Sequence, residues 1–326
     1  MAAITLLEAI RQGLWEEMER DKDVFLLGED IGVYGGAFKV TEGFIDKFGA
    51  ERVIDTPISE TAIVGAACGA AMMGMRPVAE MQFIDFISCC FDMLTNYAAK
   101  SRYRQGIGIP IVVRGPSGGG VHAGPFHSQN VESFFLNTPG LKMVEPSTPY
   151  DAKGLIKAAI RDDDPVLFFE HKLLYRNPKI KQEVPADDYI VPIGKAAVRR
   201  EGKDLSVITY GAMVYTALDA AERLQQEGID VEVIDLRTLQ PFDREAVSET
   251  VKKTSKVIIL HEATKTGGMA GELTAVINEE VFEYLDGPVT RVTSIDTPVP
   301  YAPPLEEFFL PQVDDLLKAA RSLAAY

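Results

Sequence analysis

The chain is short of the groups that staple small folds together. It has three cysteines, four histidines and one tryptophan in 326 residues. Cys68 stands alone and Cys89 adjoins Cys90, so the count is odd and no CxxC pair or zinc-like Cys/His spacing occurs. Disulfide scaffolds and zinc modules are excluded, and reduced intracellular thiols are the expectation. Positive charge is also scarce. Against 48 Asp+Glu there are 33 Lys+Arg, a formal charge of -15, which repels a phosphate backbone instead of releasing its counterions; nucleic acid is not an expected partner. No apolar run reaches the ~18 residues of a membrane helix. The opening MAAITLLEAIRQGLWEEMERD lacks the basic start, apolar block and cleavage site of a secretory signal. The expected protein is soluble and cytoplasmic, with no membrane contact.

Two phosphate motifs are missing as well. Gly115 to Gly120 has the glycine separation of a P-loop, but Val121 stands where its lysine must be, and no strand runs into a GxGxxG. ATP and NAD recognition by those routes are unsupported.

What is present is ordinary globular material, 46% hydrophobic and 25% charged. The length suits about two domains and needs no staple to bury a core. Thr5 and Glu8 stand at capping-box spacing ahead of Leu7, Ile10, Leu14 and Met18 on one face, predicting a helix over 5–19. Short continuous apolar runs at 24–28, 78–83, 109–113, 141–144 and 166–169 read as parallel strands covered on both faces. Helices are predicted between them over 63–73, rich in Ala and Gly, and from Thr148, an N-cap before Pro149, to Arg161. This alternation predicts a doubly wound, mostly parallel α/β domain over 1–185. Pro178, Pro185 and Pro192 break the pattern, and 186–204 reads as a linker. A second α/β domain over 205–326 has strands at 205–209, 231–236, 257–260 and 289–295. Its helices lie at 214–227, near Gly271 and at 313–323.

In open parallel sheets ligands sit outside the carboxyl ends of strands. Glu29 follows the first run, and Gln82 and Phe86 lie at or just past the run 78–83. The stretch RGPSGGGVHAGPFH, Arg114 to His127, follows 109–113; it packs five glycines and two of the four histidines, His122 and His127, into fourteen residues. It is the best candidate for a working loop, although a long surface connection with solvated histidines explains the same composition. Glu60 falls in a first helical turn, where the dipole favours a carboxylate and where glutamate is also ordinary. Phe83 and Phe86 read by default as core aromatics. Lys100, Arg102 and Arg104 beside Tyr103 form a solvated helix end or an anion contact.

Several long blocks in order then carry a resemblance. They are LGEDIGVYGGAFKVTEG (27–43), DTPISE (55–60), RPVAEMQFIDF (76–86), HSQ (127–129), PGLKMVEPSTPYDAKGLIKAAIRDDDPVLFFE (139–170) and IDLRTLQPFD (234–243). The sequence resembles, along essentially its whole length, the beta subunits of the thiamine-diphosphate-dependent component of 2-oxo acid dehydrogenase complexes. That resemblance implies a pyrimidine-binding domain of the thiamine-diphosphate-binding fold followed by a transketolase C-terminal-like domain. It implies that Glu60 shares a proton with N1′ of the cofactor's aminopyrimidine, in a water-poor cleft where such a bond is strong. Phe86 would pack on that ring, Ile58, Ser59 and Gln82 would line it, and Glu29 would sit nearby. His127 would handle protons as the acyl group passes to a lipoyl arm, and Phe83 and His127 would face substrate.

The family's magnesium-diphosphate motif begins with GDG, and no GDG occurs here. The resemblance therefore implies half a site, completed by an alpha subunit that carries Mg2+ in an α2β2 heterotetramer, and a lipoylated acyltransferase as further partner. It also implies a K+ ion on carbonyl oxygens at Ile111, Ala159, Ile160, Asp162 and Asp164, although the acids before Pro165 equally suit a polar turn. GGGVHAGPFHSQNVES and EMQFIDF lean toward a branched-chain 2-oxo acid as substrate, with pyruvate and acetoin as alternatives. A self-sufficient transketolase-like enzyme and a noncatalytic α/β binding or scaffold module are the rival readings.

Overall fold

The computed structural model describes residues 3–326. The chain forms two compact units, one made of residues up to Ser117 with Phe134–Ile193, the other of Gly118–Ser133 with Gly194–Tyr326. In the first unit six strands are parallel: β1 (Val24–Gly28), β2 (Val53–Asp55), β3 (Arg76–Glu80), β4 (Val112–Ser117), β5 (Lys142–Val144) and β6 (Val166–His171). Their spatial order is β5-β6-β4-β3-β1-β2. Every residue of β1, β4 and β6 is buried, as strands covered on both faces require.

The helices that cover the sheet start where the sequence says they should. Helix Leu6–Arg20 opens with a complete capping box, the Glu8 N–H donating to Thr5 Oγ1 at 3.2 Å and the Thr5 N–H to Glu8 Oε2 at 2.7 Å. Leu6, Ile10 and Leu14 are fully buried, and the helix packs on Pro149–Arg161, itself capped by Thr148. At Gly13 a Cβ would stand 2.4 Å from Ile156 Cγ2, so only glycine permits that approach.

The strand order places the functional end of this sheet. β1 has β2 on one side and β3 on the other, with Gly28 opposite Glu80. The connections reverse there, and the crevice beyond the carboxyl ends of β1 and β3 is the topological switch point where open α/β sheets bind ligands.

The second unit has strands Thr290–Ser294, Val257–Thr264, Leu205–Thr209, Val231–Asp235 and Ala197–Arg200 in that spatial order, the last antiparallel to its neighbour. Helices Met213–Gln226, Arg244–Thr254, Met269–Glu280 and Val313–Ala324 accompany them. Among the described residues no helix is long and apolar enough to cross a membrane.

Three features depart from the sequence expectations. Arg114 to Ser117 lie in β4 and not in a loop. Its neighbour β3 pairs with β4 only as far as Arg114, and β6 alone accompanies it to Ser117, so Pro116 lies where one flank of the strand has no ladder to break. The span 186–204 contains strand Ala197–Arg200, an edge strand whose half-exposed residues leave no apolar alternation to read; Arg199 and Arg200 fasten it to Asp235 and Asp230. The segment Gly118–Ser133, between two elements of the first unit in sequence, belongs to the second unit.

Candidate active site

At the switch point of the first unit the chain turns sharply after β1. Asp55, ending β2, accepts the Gly32 N–H at 2.5 Å and folds the segment after Glu29 back; a Cβ on Gly32 would collide with that carboxylate. Glu29 follows β1 directly and is 7% exposed. Beyond β3, Gln82 Nε2 donates to Asp30 Oδ2 at 3.3 Å, bridging the two strand ends. Glu60 is the first residue of helix Glu60–Met72, behind Ser59, whose hydroxyl makes no cap bond. This places a carboxylate at a positive helix end.

The charges in this cluster are coupled. Burial first, and then the negative charges of Glu60 and Asp30, hold the Glu29 pKa above the ordinary carboxylate value. Glu60 acts in the same sense on the thiols of Cys89 and Cys90, after burial. A partly buried carboxyl group beside other negative charges binds a proton more readily than a free one, as Glu29 does here. The structure thus brings Glu29, Glu60 and Gln82 together. Ile58 is 80% exposed at the edge of this crevice. Phe83 and Phe86 are half-buried at and within the short helix Ile84–Cys90. Phe83 has a φ of +137°, a strained conformation for a side chain with a Cβ. Its ring meets Phe38 edge-on at 5.7 Å and lies 5.6 Å from Lys172 Nζ.

Beneath the crevice lies a group that the sequence reading missed. Arg114, 1% exposed, makes two hydrogen bonds of 2.6 and 2.7 Å to Glu170 and also pairs with Glu80; Tyr175 donates to Glu170 at 2.5 Å. Burial disfavours the guanidinium charge, but Glu170 and Glu80 more than restore it, so the pKa of Arg114 lies above its ordinary value. At Glu80 burial outweighs Arg114 and the pKa is raised. A carboxylate ending each of the apolar runs RPVAE and VLFFE was the available signal.

In the second unit the glycine-rich run begins at Gly118, whose N–H donates to Gln129 O at 3.1 Å and closes a loop. Inside it Gly124–Phe126 form a single tight turn, and the His127 N–H donates back to Gly124 O at 3.3 Å. His127 is half-buried, and His122, with φ +60°, is exposed. At the far end Glu132 accepts from the Tyr210 hydroxyl at 2.7 Å.

The five carbonyl positions expected for a cation lie at the end of helix Pro149–Arg161 and beside β4 and β6. Arg76 Nη1 donates to Ile160 O at 3.0 Å and to Asp162 O at 2.9 Å. Ile111 O accepts from Val166 and Ala159 O from Asp162. The Asp162 carboxylate pairs with Lys142, and Asp164 with Arg102. Each carbonyl oxygen keeps a second lone pair. No group of three or more His, Cys, Asp or Glu able to hold a metal occurs among the described residues.

Residues 2–178 match the family model described as transketolase, pyrimidine binding domain, and residues 194–316 the one described as transketolase, C-terminal domain. The chain is 54% identical to the 2-oxoisovalerate dehydrogenase subunit beta of Bacillus subtilis, over 100% of both chains. It is 44% identical, again over 100% of both, to the pyruvate dehydrogenase E1 component subunit beta of the same organism. To a chloroplastic pyruvate dehydrogenase E1 beta subunit of Arabidopsis thaliana it is 46% identical over 98% of this chain and 79% of that one. A solved structure titled as a split-gene transketolase, an inactive beta4 tetramer, superposes with a TM-score of 0.81 over 99% of both chains at 23% identity, a likeness of fold.

Proposed function

The chain belongs to the family of beta subunits of the thiamine-dependent 2-oxo acid dehydrogenases, and we propose that it oxidatively decarboxylates a branched-chain 2-oxo acid of the 2-oxoisovalerate type. The observation that carries the substrate is a contrast within one organism. Two Bacillus subtilis relatives align over the full length, and the 2-oxoisovalerate enzyme shares 54% where the pyruvate enzyme shares 44%.

Thiamine diphosphate, when bound, supplies the electron sink that lets carbon dioxide leave. Glu60 is assigned to share a proton with the pyrimidine N1′ atom, and its place in the first turn of helix Glu60–Met72, at the same strand ends as Glu29, supports that role. Phe86, Ile58, Ser59 and Gln82 are assigned to hold the pyrimidine, and Phe83 to face the substrate. His127 is assigned the proton transfers at the lipoyl sulfur during acyl transfer to the acyltransferase, work suited to an imidazole. An alpha subunit, carrying the Mg2+ and diphosphate ligands, completes the site in an α2β2 heterotetramer. A K+ ion at Ile111, Ala159, Ile160, Asp162 and Asp164 belongs to the same reading. So does a cytoplasmic setting, in keeping with three free cysteines.

The test is reconstitution. The chain, alone and co-purified with a GDG-bearing alpha partner, is titrated with thiamine diphosphate, and the assembly is assayed on 2-oxoisovalerate, pyruvate and acetoin. Binding that needs the partner and a highest kcat/KM on 2-oxoisovalerate are expected. Tight binding by the chain alone supports a self-sufficient enzyme, no binding in either state supports a noncatalytic module, and preference for pyruvate overturns the substrate assignment.

A further inference from the structure

The glycine-rich loop is longer than the tight turns that hold themselves, yet it is fastened at atoms the sequence does not advertise. Gly118, Gly120 and His122 have φ of +81°, +80° and +60°. Alternating left-handed residues turn successive N–H groups to one side, making a concavity that attracts an anion. In this chain the concavity is filled by its own carboxylates. Glu306, 1% exposed, accepts the Gly120 N–H at 2.9 Å through one oxygen and the His122 N–H at 3.0 Å through the other, which also lies 2.5 Å from His122 Nδ1. Glu262, 4% exposed, accepts the Gly119 N–H at 2.5 Å. The next turn is held by shape: a Cβ on Gly124, at φ +71°, would stand 2.2 Å from the Tyr301 ring. His127 begins where that turn ends, its N–H bonded to Gly124 O. Glu262, Tyr301 and Glu306 all belong to the unit that holds this loop.

We propose that Glu306, assisted by Glu262, is a positioning residue that clamps the 118–126 backbone and so fixes where His127 stands during acyl transfer. The proposal rests on the proton-transfer role read for His127. A buried carboxylate suits the task because bonds from N–H groups to a charged acceptor are short and strong, and two oxygens can serve three donors at once. A glutamine of equal size keeps one acceptor oxygen and loses the charge, so it cannot hold the same set.

The experiment uses the assembled complex with E306Q, E262Q, H127A and, as control, E307Q, an exposed neighbour of Glu306 in helix Pro303–Phe309. Hydrogen exchange is followed across residues 118–133. Lipoyl acylation and decarboxylation with an artificial electron acceptor are measured in parallel. E306Q is expected to speed exchange at Gly120 and His122 by about tenfold or more, and E262Q at Gly119, while E307Q leaves the loop as in the parent. E306Q is further expected to lower kcat for lipoyl acylation about tenfold, with a smaller loss in the artificial assay and KM for the lipoyl domain within about twofold. Unchanged exchange in E306Q, or faster exchange with undiminished lipoyl acylation beside a damaging H127A, overturns the clamp and leaves the reading of His127 standing. If H127A itself spares lipoyl acylation, that reading fails and the proposal with it. Should E306Q not assemble, E262Q decides by the same criteria at its single N–H.

Discussion

His261 offers a quantitative check on how the second unit is built. It is fully buried in strand Val257–Thr264, its ring stacked on Tyr210 at 6.1 Å. Burial pushes its pKa from the ordinary 6.5 down to about 4, outweighing the opposing hydrogen bond with the Ala263 backbone. The folded-state pKa is therefore below the unfolded one. The stabilisation from a neutral His261 is complete above about pH 6.5 and drains away as pH falls toward 4. At pH 5 the linkage relation gives a loss of about 2 kcal/mol relative to pH 8. For a unit of roughly 150 residues that is a fall of about 4–8 °C in melting temperature. Calorimetry of the parent and of His261→Asn between pH 8 and pH 5 isolates the effect, since every other titrating group is common to both. The parent should lose about 2 kcal/mol more on acidification than the variant does. Parallel pH profiles, or an imidazole that titrates near 6.5 by NMR, would refute the reasoning. Because Tyr210 also holds Glu132 at the end of the His127 loop, loop exchange should rise over the same pH range.

Arg114→Leu leaves Glu80 and Glu170 buried without their cation and should cost about 3–5 kcal/mol at pH 8 by thermal unfolding. Glu80 already has a raised pKa, so the stability it contributes is present at low pH and lost as pH rises through that value. The deficit of the variant should shrink on acidification, and a pH-independent deficit would contradict this account. Gly124→Ala puts a Cβ at φ +71° against Tyr301 and should cost more than the about 1–2 kcal/mol of backbone strain alone; a second change, Tyr301→Ala, should relieve the collision and leave about that strain. If K+ is held at the five carbonyls, K+ at about ten times its Kd should add about 1.4 kcal/mol over equal Na+, and identical melting curves in the two salts would remove the ion from the account.

What could be read from the sequence was local. Thr5 and Glu8, or Thr148 before Pro149, signal a helix start within four residues, and both helices begin there. Strands covered on both faces announced themselves as apolar runs, as at Val24–Gly28. What escaped was settled at long range. The charge of Arg114 is tolerated in a buried strand through Glu170, 56 residues on, and nothing adjacent in sequence reports this. The half-exposed edge strand Ala197–Arg200 had no pattern to show. Glu29, Glu60 and Gln82 could be picked as candidates from strand and helix ends, but their convergence depends on β1 and β3 being neighbours. Glu262 and Glu306 lie 143 and 184 to 186 residues from the amides they hold, and no motif joins them.

The account turns on Glu60, and replacing it by glutamine in the assembled α2β2 enzyme tests it most directly. Glutamine keeps the size and the helix start but cannot exchange a proton with a ring nitrogen. With assembly and cofactor affinity verified, turnover of 2-oxoisovalerate should fall by about two to four powers of ten. Turnover within about twofold of the parent would contradict the claim that this carboxyl group works on the cofactor.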